Sequence, residues 1–211
     1  MKIRKRPRQN QEERSERSRR QILDAALKLF SHRGYGATSV QDLAEEAGVS
    51  KGNIYHHFPD KETIFRELLD QYFLLLSQPD FPFNKALGSA TFPEHLEALG
   101  RATHDMVRDY REYVSLINVD RVEFDAAHVR KFYEEMASRF AQFLKSRGLE
   151  RDIQSKRAPG LSPTSAVILA TRIFMNYFTV EILFGVKNHF GKSTDEVIGE
   201  ITRILRHGML R

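Results

Sequence analysis

The stretch TSVQDLAEEAGVSKGNIYHHFPDKE, Thr38 to Glu62, decides how this chain is read. Thr38 followed by Gln41 has the make-up of a capping box, in which a hydroxyl and a side chain three residues on satisfy each other's backbone donors at a helix start. Val40, Leu43, Ala44 and Ala47 then recur at the spacing of one helical face, and Gly48 supplies a stop. Val49 fills a turn and Ser50 is placed to cap again. Ile54 and Phe58 mark the inner face of a second short helix that ends before Pro59. Two short helices joined by Ala47-Gly48-Val49-Ser50 fit a helix-turn-helix: glycine permits the tight reversal and the apolar valine fixes the interhelical angle. In such a unit the second helix enters the DNA major groove N-terminus first. Lys51, Gly52 and Asn53 occupy that end, and Tyr55, His56 and His57 follow it. Lys51 and Asn53 suit base edges or phosphates, Gly52 lets the backbone come close, and Tyr55 and His56 can donate to phosphate oxygens.

Upstream, Ile22, Ala26, Leu29 and Phe30 recur at helical spacing from Ser18 onward, with Gly34 as the stop. Residues 1–15 are polar and lack an apolar period, so a mobile tail is expected there. Charge singles out the same end of the chain. Through Lys61 there are 13 Lys and Arg against 8 Asp and Glu, whereas residues 62–211 hold 20 of each. The whole excess of +5 sits in the first 61 residues, which suits a polyanion whose counterions are released on binding; a solvated basic tail is the alternative.

Downstream, Asp60 caps a longer helix with a stripe of Ile64, Leu68, Tyr72 and Leu75 or Leu76. Prolines 79, 82 and 93 with Gly88 predict a break over 77–93. Helix is then expected over 94–122, interrupted near Arg111. Val129, Phe132, Tyr133, Met136, Phe140, Phe143 and Leu144 mark another helix. A loop over 148–163 leads to a long apolar segment, 164–186, that Arg172, Asn176 and Glu181 mark as a buried helix rather than a membrane span. A final helix from Thr194 carries Val197, Ile201, Ile204 and Leu205 on one side. No stretch alternates with period two, so the chain reads as all-α.

The run from Thr38 to Glu62, preceded by its helix over 22–34, resembles the signature of the TetR family of transcriptional regulators. The alanine-glycine-valine-serine turn, the glycine two residues on, the tyrosine, the histidine-phenylalanine pair and the following lysine are all present. The resemblance is specific over residues 18–65; beyond them it lies in length and helix count. It implies a three-helix DNA-binding domain over 16–62 with its helix-turn-helix at 39–58, then a helical effector-binding and dimerisation domain over 63–211. Thr38, Ser39, Ser50, Lys51, Gly52, Asn53, Tyr55, His56, His57 and Lys61 are the implied DNA contacts, with Ser39 capping at the backbone and Lys61 on a phosphate. One of His56 and His57 has an alternative role packing against the first helix.

The implied partners are a palindromic double-stranded DNA operator, a second copy of the chain, and a small, largely apolar organic effector that releases the operator. Tyr110, Asn118, Arg121, Tyr133, Arg172, Asn176 and Tyr177 are the candidate effector residues; for Arg172 and Asn176 a polar strip at the dimer seam or in solvent is the preferred alternative. Ile182, Phe184, Ile201 and Leu205 are the candidate dimer contacts. No histidine pair at metal spacing and no glycine-rich phosphate loop occurs, so neither a metal nor another cofactor is expected. With no Cys and no apolar leader, a cytoplasmic location away from membranes is the expectation. Two rivals remain: a DNA-binding protein without an effector, and a hydrolase built on Gly48-Val49-Ser50-Lys51-Gly52. The second needs a strand before the serine, where an amphipathic helix is expected instead.

Overall fold

The computed structural model describes residues 8–88, 95–146, 148, 162–187 and 190–209, with ten α-helices and no strand among them. In chain order they are α1 (Arg8–Arg33), α2 (Val40–Ala47), α3 (Lys51–His57), α4 (Lys61–Leu76), α5 (Pro82–Gly88), α6 (Leu96–Asp109), α7 (Arg111–Glu123), α8 (Arg130–Ser146), α9 (Pro163–Ile182) and α10 (Thr194–Met209). They fall into two compact units. The first joins Met1–Tyr72 to Ser115–Val129, and the second joins Phe73–Val114 to Arg130–Arg211. The boundary expected at residue 62 therefore lies ten residues later, and a stretch of α7 and its following turn return to the first unit.

In the first unit, α1 buries Ile22, Leu23, Ala26, Leu29 and Phe30. It begins at Arg8 rather than near Ser18, which corrects the expected tail over residues 8–15. Arg, Gln and Glu are good helix formers and need no apolar face to extend a helix already nucleated downstream. The rest of that tail, residues 1–7, lies outside the described residues. Phe30 meets Phe65 of α4 edge-on at 5.7 Å between ring centroids. Leu43, Ile54, Phe58, Ile64 and Leu68 complete this core.

The second unit packs α6 against α5, α9 and α10, and α9 also against α8. Leu96, Leu99, Met106 and Val107 from α6 meet Ala166, Val167, Ala170, Phe174 and Phe178 from α9. Gly100 is where the helices come closest: a Cβ there would stand 2.8 Å from the Phe174 ring and 2.9 Å from Ile198. The break expected between α4 and α6 holds the short α5, while residues 89–94 and most of the expected loop at 148–163 lie outside the described residues. The interruption read near Arg111 falls at Tyr110, between α6 and α7.

α9 ends at Ile182, four residues before the expected end, and it is not buried on all sides within the chain. Leu169, Arg172, Ile173 and Asn176 form an exposed stripe opposite its core face. α8 forms where its period predicted, but only Leu144 is fully buried; Phe132, Met136, Phe140 and Phe143 are half-buried and Tyr133 is exposed. On α10, Val197, Ile201 and Leu205 turn inward, whereas Ile204 is 71% exposed. Ile201 and Leu205 therefore belong to the chain's own core, which corrects their reading as dimer contacts.

Candidate nucleic-acid interface

The helix-turn-helix is built from two capped helices. The Ser39 hydroxyl accepts from the Asp42 N–H at 3.1 Å, and the Asp42 carboxylate accepts from the Ser39 N–H at 2.7 Å. Donation to the carboxylate from the Ser39 hydroxyl first, and then from the Ser39 N–H, holds the Asp42 carboxyl below the usual carboxylate range. The capping box is thus Ser39 with Asp42, one residue later than Thr38 with Gln41. Gly48 closes α2 at φ 67°, a left-handed conformation that costs other residues about 1–2 kcal/mol, and the Val49 N–H returns to the Ala44 carbonyl. Ser50 then caps α3 by accepting from the Asn53 N–H at 3.1 Å. Its hydroxyl ends a helix–turn, not a strand, so the nucleophile-elbow geometry is missing.

Each face of α3 has its own role. Ile54 and the following Phe58 are buried, at 1% exposure each, and fix the helix on the core. Lys51, Gly52, Tyr55 and His56 are exposed beside the equally exposed caps Ser39 and Ser50. Asn53 and His57 lie between the faces; Asn53 Oδ1 and His57 Nε2 are buried with no hydrogen-bond partner among the described residues. Arg19 lies over the Phe58 ring at 5.1 Å and pairs with Glu67, tying α1 to the end of α3.

Two expected DNA contacts face inward. Thr38 is fully buried and donates to the Gly34 carbonyl at 2.8 Å, so its side chain is structural. Lys61 donates to the carbonyls of Tyr35 and Thr38, each at 2.7 Å, and its ammonium stands 3.9 Å from the centre of the Tyr35 ring. Burial pushes its pKa down. This lysine fastens the α1–α2 turn instead of reaching out as a free phosphate contact.

His57 gives the unit a pH dependence. Burial first, then the charges of His56 and Arg19, hold its imidazole below the ordinary value. The unfolded chain, with a pKa of about 6.5 there, takes up the proton more readily. Stability from the neutral imidazole is therefore complete above about pH 6.5 and is lost as the pH falls through the lower folded value. We expect His57→Gln to flatten the fall in stability between about pH 7 and about pH 5 in denaturant titrations. An unchanged slope would remove His57 as its source.

The candidate effector residues do not share one environment. Asn118 and Arg121 are exposed on the part of α7 that belongs to the first unit, which corrects their reading as anchors in the second. Tyr110 packs on Phe81 at 5.7 Å and Tyr177 between Phe178 and Phe190 at 5.2 and 5.3 Å, at the edge of the second unit's core. Tyr133 and Arg172 come within electrostatic reach: although Tyr133 as a whole is exposed, desolvation of its hydroxyl end raises the phenol's pKa, and the guanidinium opposes it. Arg172 and Asn176 lie on the exposed stripe of α9. Of the candidate dimer contacts, Phe184 is 69% exposed and Ile182 half-buried.

Sequence reasoning missed three residues of the first unit, Asp120, Glu123 and His128. Asp120 is fully buried and accepts from the Val129 N–H at 3.0 Å and from His128 Nδ1 at 2.6 Å. Glu123 accepts from the backbone of the α1–α2 turn. For Glu123 alone there was a signal, the pair of glycines around Tyr35, which marks a close approach without naming the partner.

A family model described as "Bacterial regulatory proteins, tetR family" matches residues 22–68. Among curated proteins, the chain is 46% identical over 54 residues to the HTH-type transcriptional regulator AcrR of Shigella flexneri, covering 26% of this chain and 25% of that one. It is 32% identical over 120 residues to the HTH-type transcriptional repressor KstR2 of Mycolicibacterium smegmatis, covering 53% and 57%. The chain thus spans less than two thirds of the length of either relative. In fold it is similar to NalD of Pseudomonas aeruginosa, the secondary repressor of the MexAB-OprM multidrug efflux pump, with a TM-score of 0.63 at 19% identity over 93% of this chain and 98% of that one.

Proposed function

Because the chain belongs to the TetR family of bacterial regulatory proteins, we propose that it is a homodimeric, sequence-specific transcriptional repressor, released from a palindromic operator by a small, largely apolar organic effector. One observation carries the DNA-reading part. α3 is capped by Ser50 and anchored by Ile54 and Phe58, and it turns Lys51, Gly52, Tyr55 and His56 to solvent. That arrangement suits a helix entering a major groove N-terminus first. The concentration of net positive charge in the first 61 residues supports the same partner. Repression is supported by the KstR2 relative, which carries that name.

A second copy suits the outer surface of the second unit. Leu169 and Ile173 on α9, at 47% and 45% exposure, and Ile204 on α10 are large apolar side chains left in water by a single chain. The aromatic supply of the second unit, Tyr110, Phe140 and Tyr177 among it, suits an organic effector. Its action is a population shift, favouring a spacing of the two reading helices that no longer fits successive grooves.

Selection of sequences from a pool of random duplexes by the purified chain tests this reading. The expected product is a two-fold symmetric sequence with half-sites about 34–36 Å apart, bound by a dimer. Recovery of no preferred sequence, or of an asymmetric site bound by a monomer, would overturn it.

A further inference from the structure

The DNA-binding unit is completed by a residue far outside the segment that the family model spans. The turn between α1 and α2 runs through Gly34, Tyr35 and Gly36. The carboxylate of Glu123, at the C-terminal end of α7, accepts from both of its successive amides, Tyr35 N–H at 2.9 Å and Gly36 N–H at 2.5 Å. Paired backbone donors of this kind form an anion-binding concavity. The two glycines are shaped to it: a Cβ on Gly34 would stand 2.7 Å from one carboxylate oxygen and a Cβ on Gly36 3.0 Å from the other. Lys61 holds the carbonyls of the same turn. Its amides are therefore anchored by an anion and its carbonyls by a cation.

Glu123 is itself held in place. The buried Asp120 folds the chain after α7 into a corner: its backbone carbonyl accepts from Phe124 and Ala126, and its carboxylate from Val129 and His128. Asp125 and Ala126 take positive φ, 51° and 59°, to make that corner. Phe124 is thereby laid on Tyr35 at 4.6 Å and on Phe65 at 5.0 Å.

We propose that Glu123 is a positioning residue for operator reading, acting through the α1–α2 turn on the cap of α2. Ser39, the exposed cap, stands three residues after Gly36, and the intervening Thr38 is bonded back to Gly34. A turn that loses its anion shifts the start of α2 and with it the angle at which the helix-turn-helix meets DNA. Glu123 touches no DNA itself. The inference rests on the DNA-binding reading above, and its test separates the two.

The test uses the full chain with Glu123→Ala and the duplex selected by the wild type. Glu123 is exposed, so water replaces part of what is lost; the expected loss in affinity for the selected duplex is about tenfold, the equivalent of one charge-assisted hydrogen bond. Affinity for a scrambled duplex should be unchanged, and formate, which fits the vacated concavity, should restore specific binding. Unchanged specific affinity would overturn the proposal, as would an equal loss on both duplexes together with a lowered melting temperature. Should the wild type select no duplex, the DNA-binding reading fails. Amide hydrogen exchange at Tyr35 and Gly36 then decides on the clamp alone: faster exchange in Glu123→Ala, slowed again by formate, supports it, and identical rates overturn it.

Discussion

Gly52→Leu is expected to leave the fold as stable as before, or slightly more so, while removing operator binding. Gly52 sits in the first turn of α3, is exposed, and has an ordinary helical backbone; a Cβ there would have the Ser50 hydroxyl at 3.8 Å as its nearest neighbour. The chain itself has no steric need for glycine at this position. Glycine costs a helix about 0.5–1 kcal/mol relative to good helix formers, so a larger side chain gains stability or leaves it unchanged. What glycine permits is close approach of the backbone to a partner. A leucine projecting from that point holds α3 away from the groove, and affinity for the selected duplex should fall more than about a hundredfold, or about 2.7 kcal/mol. Thermal unfolding and a binding isotherm on the same preparation check both halves. Wild-type affinity in Gly52→Leu would mean that the start of α3 does not face DNA.

Phe174→Ala carries the largest expected cost in stability, about 3–5 kcal/mol of a total that for single domains runs to about 5–15 kcal/mol. The Phe174 ring is fully buried, lies parallel to Phe178 at 6.4 Å, and fills the space that Gly100 leaves open on α6. Because α6, α9 and α10 meet at this ring, its loss leaves a cavity that no single helix can close by moving. Urea unfolding followed by circular dichroism should show the midpoint moving sharply down. A cost below about 1 kcal/mol would show that the second unit's core is not organised around it.

The fold was legible wherever a helix has one wet and one buried face and ends at a recognisable residue. α2 and α3, with Ser39, Gly48 and Ser50 at their ends, are such elements, and α4 follows its stripe from Ile64 to Tyr72. Choices between neighbouring residues were less legible. Both Thr38 and Ser39 offer a hydroxyl, and only the burial of Thr38 under the turn passes the cap to Ser39. Ile201, Ile204 and Leu205 are equally apolar, and which of them is left exposed depends on how α10 is rotated against α6. Lys61 is basic at a position where the family pattern suggests phosphate, yet carbonyls and an aromatic ring occupy its ammonium.

Contacts distant in sequence were not legible at all. Glu123 lies 87 residues from the Gly36 amide it binds, and nothing in its neighbours distinguishes it from an ordinary acidic residue in the last turn of a helix. The candidate effector residues could not be sorted from the sequence for the same reason: aromatic composition does not say which rings fill a core. It was the return of residues 115–129 to the first unit that removed Asn118 and Arg121 from the second.

On the proposed function, the exposed face of α3, flanked by the caps at Ser39 and Ser50, is what meets DNA. Hydrogen exchange of the full chain, measured with and without the duplex it selects, tests this most directly. Slowed exchange confined to residues 36–57, strongest from Ser50 to His57, is the predicted result. Protection falling on the second unit, with α3 exchanging as fast as in the free chain, would contradict it.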